Sequence, residues 1–120
     1  MTAAKVNLAD KLSAFDELWQ PRIVAMLNDY KVIVTKVKGE FVWHKHDETD
    51  DFFLVVKGHL TIQLRDGNVE LDEGELFVVP RGVEHCPRAD EEAWVLLIEP
   101  EATTNTGDAG GPLTAEPKWA

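Results

Sequence analysis

The chain has one cysteine, Cys86, so no disulfide can form within it. No uninterrupted apolar run approaches the roughly 20 residues that a membrane-spanning helix needs. No apolar stretch of signal-peptide length follows Met1-Thr2-Ala3-Ala4-Lys5-Val6-Asn7 either. These absences lead to the expectation of a cytoplasmic protein. Positive charge is also scarce: 12 Lys and Arg stand against 22 Asp and Glu, a formal net charge of −10, and no Lys/Arg-rich run breaks the pattern. Such a chain repels phosphate backbones and anionic headgroups, so nucleic acid and membrane surfaces are not expected as partners. The acidity is read as a solvated surface that keeps the protein in solution. There is no internal repeat.

What remains is enough for one domain. At 120 residues, of which 44% are apolar, the chain can fill one core and has little left for a second. Leu8, Leu12, Phe15, Leu18 and Trp19 recur at helical spacing, Asn7 can cap the first turn, and Pro21 would end the helix. From Arg22 onward short β-branched and aromatic runs take over: Ile23–Leu27, Tyr30–Val37, Phe41–His44, Phe52–Val56, Leu60–Leu64, Val69–Leu71, Leu76–Val79 and Trp94–Ile98. Turn residues punctuate them, among them Lys38-Gly39-Glu40, Asp66-Gly67-Asn68 and Pro80-Arg81-Gly82. This pattern predicts an all-β sandwich or barrel. Residues 1–20 are expected to form an N-terminal helical segment, residues 21–100 the barrel, and residues 101–120 a polar tail, either laid over the barrel with Trp119 docked or loose. Phe52–Val56 and Leu76–Val79 are apolar on both faces, so one face is expected to meet the N-terminal helix or a second subunit. A homodimer is the expected assembly.

Three of the chain's four histidines share one explanation. His44 and His46 are two apart in an extended segment, so their rings leave the same face with backbones about 7 Å apart, close enough to converge on one ion. His85 follows the Pro80-Arg81-Gly82 turn, where a loop can return a side chain to the barrel mouth. Asp47, Glu48, Asp50 and Asp51 come just after His46. Strand parity selects Asp51, at the head of the next apolar strand, as the carboxylate nearest the interior, with Asp50 and Glu48 behind it. The expected metal set is therefore His44, His46, Asp51 and His85. Its donors suit Mn, Fe, Ni, Cu and Zn, and a hard carboxylate with water ligands favours Mn or Fe. Cys86, beside His85, is expected to point away as a structural thiol, and His59 to be a surface residue. Phe53 and Val55 share the face of Asp51, and Phe41, Trp43, Phe77, Val79 and Trp94 are further candidates for an apolar wall. Arg65, Arg81 and Arg88 are the nearest cations for an anionic ligand.

The same residues carry a resemblance. The stretch Gly39-Glu-Phe-Val-Trp-His44-Lys-His46-Asp-Glu-Thr-Asp-Asp51-Phe-Phe-Leu-Val-Val-Lys-Gly58 resembles the first cupin motif, G-x(5)-H-x-H-x(3,4)-E-x(6)-G. Gly74, Pro80, Gly82 and His85 match the second, G-x(5)-P-x-G-x(2)-H-x(3)-N, in order and spacing. Three positions depart from the pattern: Gly39 lies one residue closer to His44, Ala89 replaces the final Asn, and Asp51 stands where the family has Glu, one methylene shorter. The resemblance implies a small single-domain cupin, a double-stranded β-helix or jelly roll with a short N-terminal helix. It allows a dioxygenase, an isomerase or a decarboxylase acting on a small oxygenated molecule. A metal-containing binding or sensing module without turnover fits the same residues, as does a structural barrel that binds whatever metal is available.

Overall fold

The computed structural model describes residues 4–120; Met1, Thr2 and Ala3, with which the expected N-terminal segment begins, lie outside the described residues. Helix α1 spans Leu8–Ser13 and is capped as expected, the Asn7 side chain accepting from the amide of Asp10. It ends earlier than its apolar spacing implies. Past the cap at Ala14 the chain turns to the edge of the barrel, where Leu18 bridges Lys36 and the Trp19 amide donates to the Lys36 carbonyl at 2.8 Å. Those bonds need Trp19 at a φ of 59°, which a helix would not allow.

Eight strands follow: β1 (Arg22–Leu27), β2 (Tyr30–Glu40), β3 (Asp51–Lys57), β4 (His59–Leu64), β5 (Gly67–Asp72), β6 (Leu76–Val79), β7 (His85–Pro100) and β8 (Lys118–Trp119). Their order is β5-β4-β7-β2-β1-β8, and β3 pairs with both β6 and β7. The long strand β7 joins the two layers of the jelly roll. Its first residues, His85–Arg88, pair with β4; it pairs with β2 at Arg88 and Ala89 and again from Ala93 to Pro100, and with β3 over Trp94–Leu96. Two local expectations change. Lys38-Gly39-Glu40 is not a turn: β2 runs through it, and Gly39 takes its φ of 83° at a bulge opposite β7. Phe41–His44 forms no strand and keeps a single bridge, His44 to His85.

Alternation along the strands builds two apolar layers. Val37, Phe53, Val55, Leu60, Ile62, Val79 and Val95 fill the barrel. On the outside, Leu12, Val24, Val34 and Leu96 gather Phe15, Phe52, Leu54 and Trp94, so α1 covers the second apolar face of β3. Leu76 and Val78 of β6 remain 55% and 40% exposed. Leu12 is fully buried at the centre of the outer layer. Leu12→Ala is expected to cost about 3 kcal/mol through lost burial and the cavity left behind, read as a lower urea midpoint at unchanged m-value.

Residues 101–115 lie over the barrel although they have almost no apolar content to bury. Side-chain and backbone hydrogen bonds hold them instead: Lys31 Nζ donates to the Thr103 carbonyl at 2.9 Å, and Asn105 bonds both the amide of Ala115 and the carbonyl of Leu113 at 3.0 Å. Thr106 is fully buried, with its hydroxyl 2.6 Å from that of Thr114. Trp119 is in β8 alongside β1 but stays 59% exposed, so the tail is laid down without it.

Candidate metal centre

His44 and His85 face each other across a bridge. The His44 amide donates to the His85 carbonyl at 3.0 Å and the His85 amide to the His44 carbonyl at 2.9 Å, which sends both rings to the same side. His46 follows two residues later, its carbonyl accepting from the Gly82 amide of the turn before β7. Asp51 opens β3, where pairing with Val79 of β6 turns its side chain inward. All four residues are buried. Their ligand atoms lie within 4.8 Å of one another, so the structure brings together the set that parity and spacing select.

The geometry fits a metal ion on an observation independent of residue type. The Nδ1 atoms of His44 and His85 sit 2.8 and 2.9 Å from the carbonyls of Val42 and Val83, two residues back in each case. A carbonyl only accepts, so each Nδ1 carries a proton and each Nε2 is the ring nitrogen turned to the cluster, the one that would bind an ion. Asp51 Oδ2 stands 2.8 Å from His85 Nε2 and 3.3 Å from His46 Nε2. Adjacent ligand atoms about 2.1 Å from a six-coordinate ion are separated by about 3 Å, so these spacings suit two neighbouring edges of one coordination sphere.

Electrostatics support the same arrangement. Burial, with help from the neighbouring imidazoles, pushes His44 down to about 4, so it stays neutral and able to donate its lone pair at ordinary pH. Burial disfavours charge on His46 and on Asp51, but their mutual contact outweighs it, raising His46 and lowering Asp51. Asp51 is thus an anion among imidazoles.

The other residues singled out in the sequence separate cleanly. Asp50 caps the turn before β7, its Oδ1 accepting from the Arg81 amide at 2.9 Å, and Glu48 is exposed; neither joins the cluster. Phe41 and Phe53 line a cavity inside the barrel that also has His44, His46 and Asp51 in its wall, together with inward residues of β2, β4 and β7. Trp94 does not: it points outward, between Lys36 and Lys57. Trp43 lies beneath the Arg65 guanidinium at 3.8 Å, away from the cavity. Each arginine already has an acidic neighbour, Arg65 with Glu84, Arg81 with Asp50 and Arg88 with Asp90. Cys86 is buried on the opposite side from His85, and burial pushes its thiol up to about 11. His59 is a surface residue between Asp72 and Glu70.

Four cavity residues escape a reading based on motifs: Trp19, Thr35, Glu99 and Asn105. Trp19 stacks on Phe41 with ring centroids 4.7 Å apart and forms part of the cavity wall. Glu99 is the most consequential. It is buried beside Lys31, whose Nζ is 3.6 Å away, and burial together with the negative charge of Asp51 pushes its carboxyl up to about 7. Parity carried the signal, because Glu99 shares the inward face of β7 with Val95 and Leu97.

The raised Glu99 carboxyl has a definite consequence for stability. The folded state binds its proton up to about pH 7, and the unfolded chain only up to about 4.5, so wild type loses stability as pH rises through that window. Relative to wild type, Glu99→Gln should therefore gain on the order of 3 kcal/mol between pH 4.5 and 8. Urea unfolding of the metal-free proteins across this range measures it; a difference that does not change with pH would contradict the assignment.

Comparison with known proteins agrees with this fold. Residues 31–99 match the Cupin domain family, and the chain belongs to that family. A crystal structure of a cupin-2 domain containing protein from Shewanella frigidimarina is similar over 79% of this chain and 93% of its own, with 49% identity and a TM-score of 0.78. The YdbB protein of Bacillus subtilis is 30% identical over 77 residues, 63% of this chain and 68% of that protein. A 3-hydroxyanthranilate 3,4-dioxygenase from Ruegeria pomeroyi is 31% identical over 88 residues, 68% of this chain but 49% of the enzyme, so the chain matches about half of that relative's length. Among the described residues, no helix is long and apolar enough to cross a membrane.

Proposed function

We propose that this cupin holds one divalent first-row ion, Mn or Fe by preference, through His44, His46, Asp51 and His85, and uses it in dioxygenase-type chemistry on a small hydroxylated molecule. The observation that carries the proposal is the convergence of four buried donors, three of which, His44, His46 and Asp51, line a largely apolar cavity. The similarity to a dioxygenase supports the reaction class. When bound, such an ion supplies a Lewis-acid centre for a hydroxyl oxygen and, if redox-active, a site for dioxygen.

The chain's own residues define the rest. Phe41, Phe53, Leu60, Val95 and Trp19 give the cavity apolar walls. Its volume of ≈ 60 Å³ is well below the roughly 150 Å³ of a cavity that takes up benzene, so in this closed form it admits only part of a small ligand. Among the described residues that line it there is no Lys or Arg, so an anionic group on a ligand would have only the metal ion to pair with. Glu99, which lines the cavity together with His46 and Asp51, is the candidate to take the proton that a ligand hydroxyl releases on binding.

Oxygen uptake by the Fe(II)- or Mn(II)-loaded protein, screened with phenols and diols, tests this reading. Uptake matched by a ring-opened or oxygenated product is expected. Ligands that perturb the metal's spectrum without oxygen uptake would instead favour a binding or sensing module. A homodimer is proposed through a second copy of the chain on the outer face of β6, where Leu76 and Val78 are exposed next to the apolar layer under α1. A monomer in sedimentation at micromolar concentration would count against it.

A further inference from the structure

We infer that residues 101–115 act as a strap that positions the metal centre, with Gly107 and Asp108 setting the geometry of His44 and His46 through the backbone of Lys45. The inference rests on the metal-binding reading above. His44 and His46 lie on a segment with no strand ladder of its own, and Lys45 is the residue between them. Both polar groups of the Lys45 backbone are tied to the strap: its amide donates to Asp108 Oδ1 at 2.9 Å and its carbonyl accepts from the Asp108 amide at 3.2 Å. A rotation of either peptide flanking Lys45 would swing one of the histidines, and these two bonds resist it.

Gly107 is what allows the strap to come so close. A β-carbon there would meet the Lys45 carbonyl oxygen at 2.3 Å and His44 Cδ2 at 3.1 Å, and the backbone already has a φ of +53°. The strap is anchored at both ends of this contact. Lys31 holds Thr103, and Asn105 and Thr106 bond to the returning residues Leu113–Ala115. Gly107 thus has the barrel's ligand-bearing segment on one side and a fixed loop on the other, so an added methyl must displace one of them.

Gly110 supplies a matched control in the same strap. Its φ is +64°, so Gly110→Ala carries the same kind of backbone strain, but a β-carbon there meets nothing within 4 Å. The experiment measures Co(II) affinity by chelator competition and the Co(II) d–d absorption spectrum in wild type, Gly107→Ala, Gly110→Ala, Asp108→Ala and Asp108→Asn. Gly107→Ala and Asp108→Ala are expected to weaken Co(II) binding about 10- to 100-fold, the usual effect of removing support behind metal ligands, and to alter the spectrum. Gly110→Ala should leave both unchanged, and Asp108→Asn, which keeps an acceptor oxygen for the Lys45 amide, should restore most of the affinity. Wild-type affinity and spectrum in both Gly107→Ala and Asp108→Ala would overturn the inference while leaving the metal reading intact. If Gly107→Ala does not fold, the Asp108 pair decides. A wild-type protein that binds no Co(II) would overturn the metal reading and this inference with it.

Discussion

His85→Ala is expected to lose the metal altogether and to unfold more readily even without it. Two consequences follow from one side chain. The proposed coordination sphere loses an imidazole whose Nε2 is aimed at the cluster by the Val83 carbonyl, and with it the bridge that orients the His44 ring loses its partner side chain. Metal content should drop from about one ion per chain to a trace, because three remaining donors leave an open and wetter sphere. In chelator, the variant leaves Asp51 buried without its 2.8 Å partner. Asp51 keeps its longer contact to His46 at 3.3 Å; losing one hydrogen bond to a buried charged group costs about 1.5–3 kcal/mol, so the urea midpoint should fall by that equivalent. A variant that keeps both metal and stability would show that His85 is an ordinary core residue.

Glu99→Gln is expected to separate turnover from metal binding. The carboxyl shares a cavity with His46 and Asp51 but is not one of the four clustered donors, so metal content should stay at the wild-type value. Turnover should fall by about 10²- to 10⁴-fold, the range over which a positioned proton acceptor acts. If Glu99 is the proton acceptor, the acid limb of the wild-type pH–rate profile should be missing in the variant. An unchanged rate and pH profile would remove Glu99 from the proposed chemistry and leave it as the buried partner of Lys31.

The two variants also mark what could and could not be read in the sequence. His44, His46 and Asp51 were legible because side chains alternate along extended backbone, so a spacing of two keeps the histidines together and the start of an apolar strand turns a carboxylate inward. His85 was legible from the turn before it, although the structure makes it the first residue of β7 rather than part of a returning loop. Glu99 obeyed the same parity but was masked by its chemistry, since a glutamate at the end of an apolar run is ordinarily solvent-facing. Its burial depends on Lys31, another inward charge on a strand distant in sequence. The α1 boundary failed because Leu18 and Trp19 keep helical spacing while gaining more from hydrogen bonds to the edge of β2. The strap left no periodic signal at all. Asn105, Thr106 and Asp108 hold it through specific hydrogen bonds, which composition cannot register.

The shorter Asp51 is compatible with the cluster because the backbone brings it near: pairing of β3 with β6 puts its Oδ2 in contact with two imidazoles. X-ray absorption at the metal edge, on protein loaded to saturation and then dialysed, addresses the central claim most directly. About one ion per chain, with three imidazole scattering paths and an oxygen ligand at about 2.0–2.2 Å, is the predicted result. Sub-stoichiometric metal, or a sphere of water oxygens with fewer than two imidazoles, would contradict it.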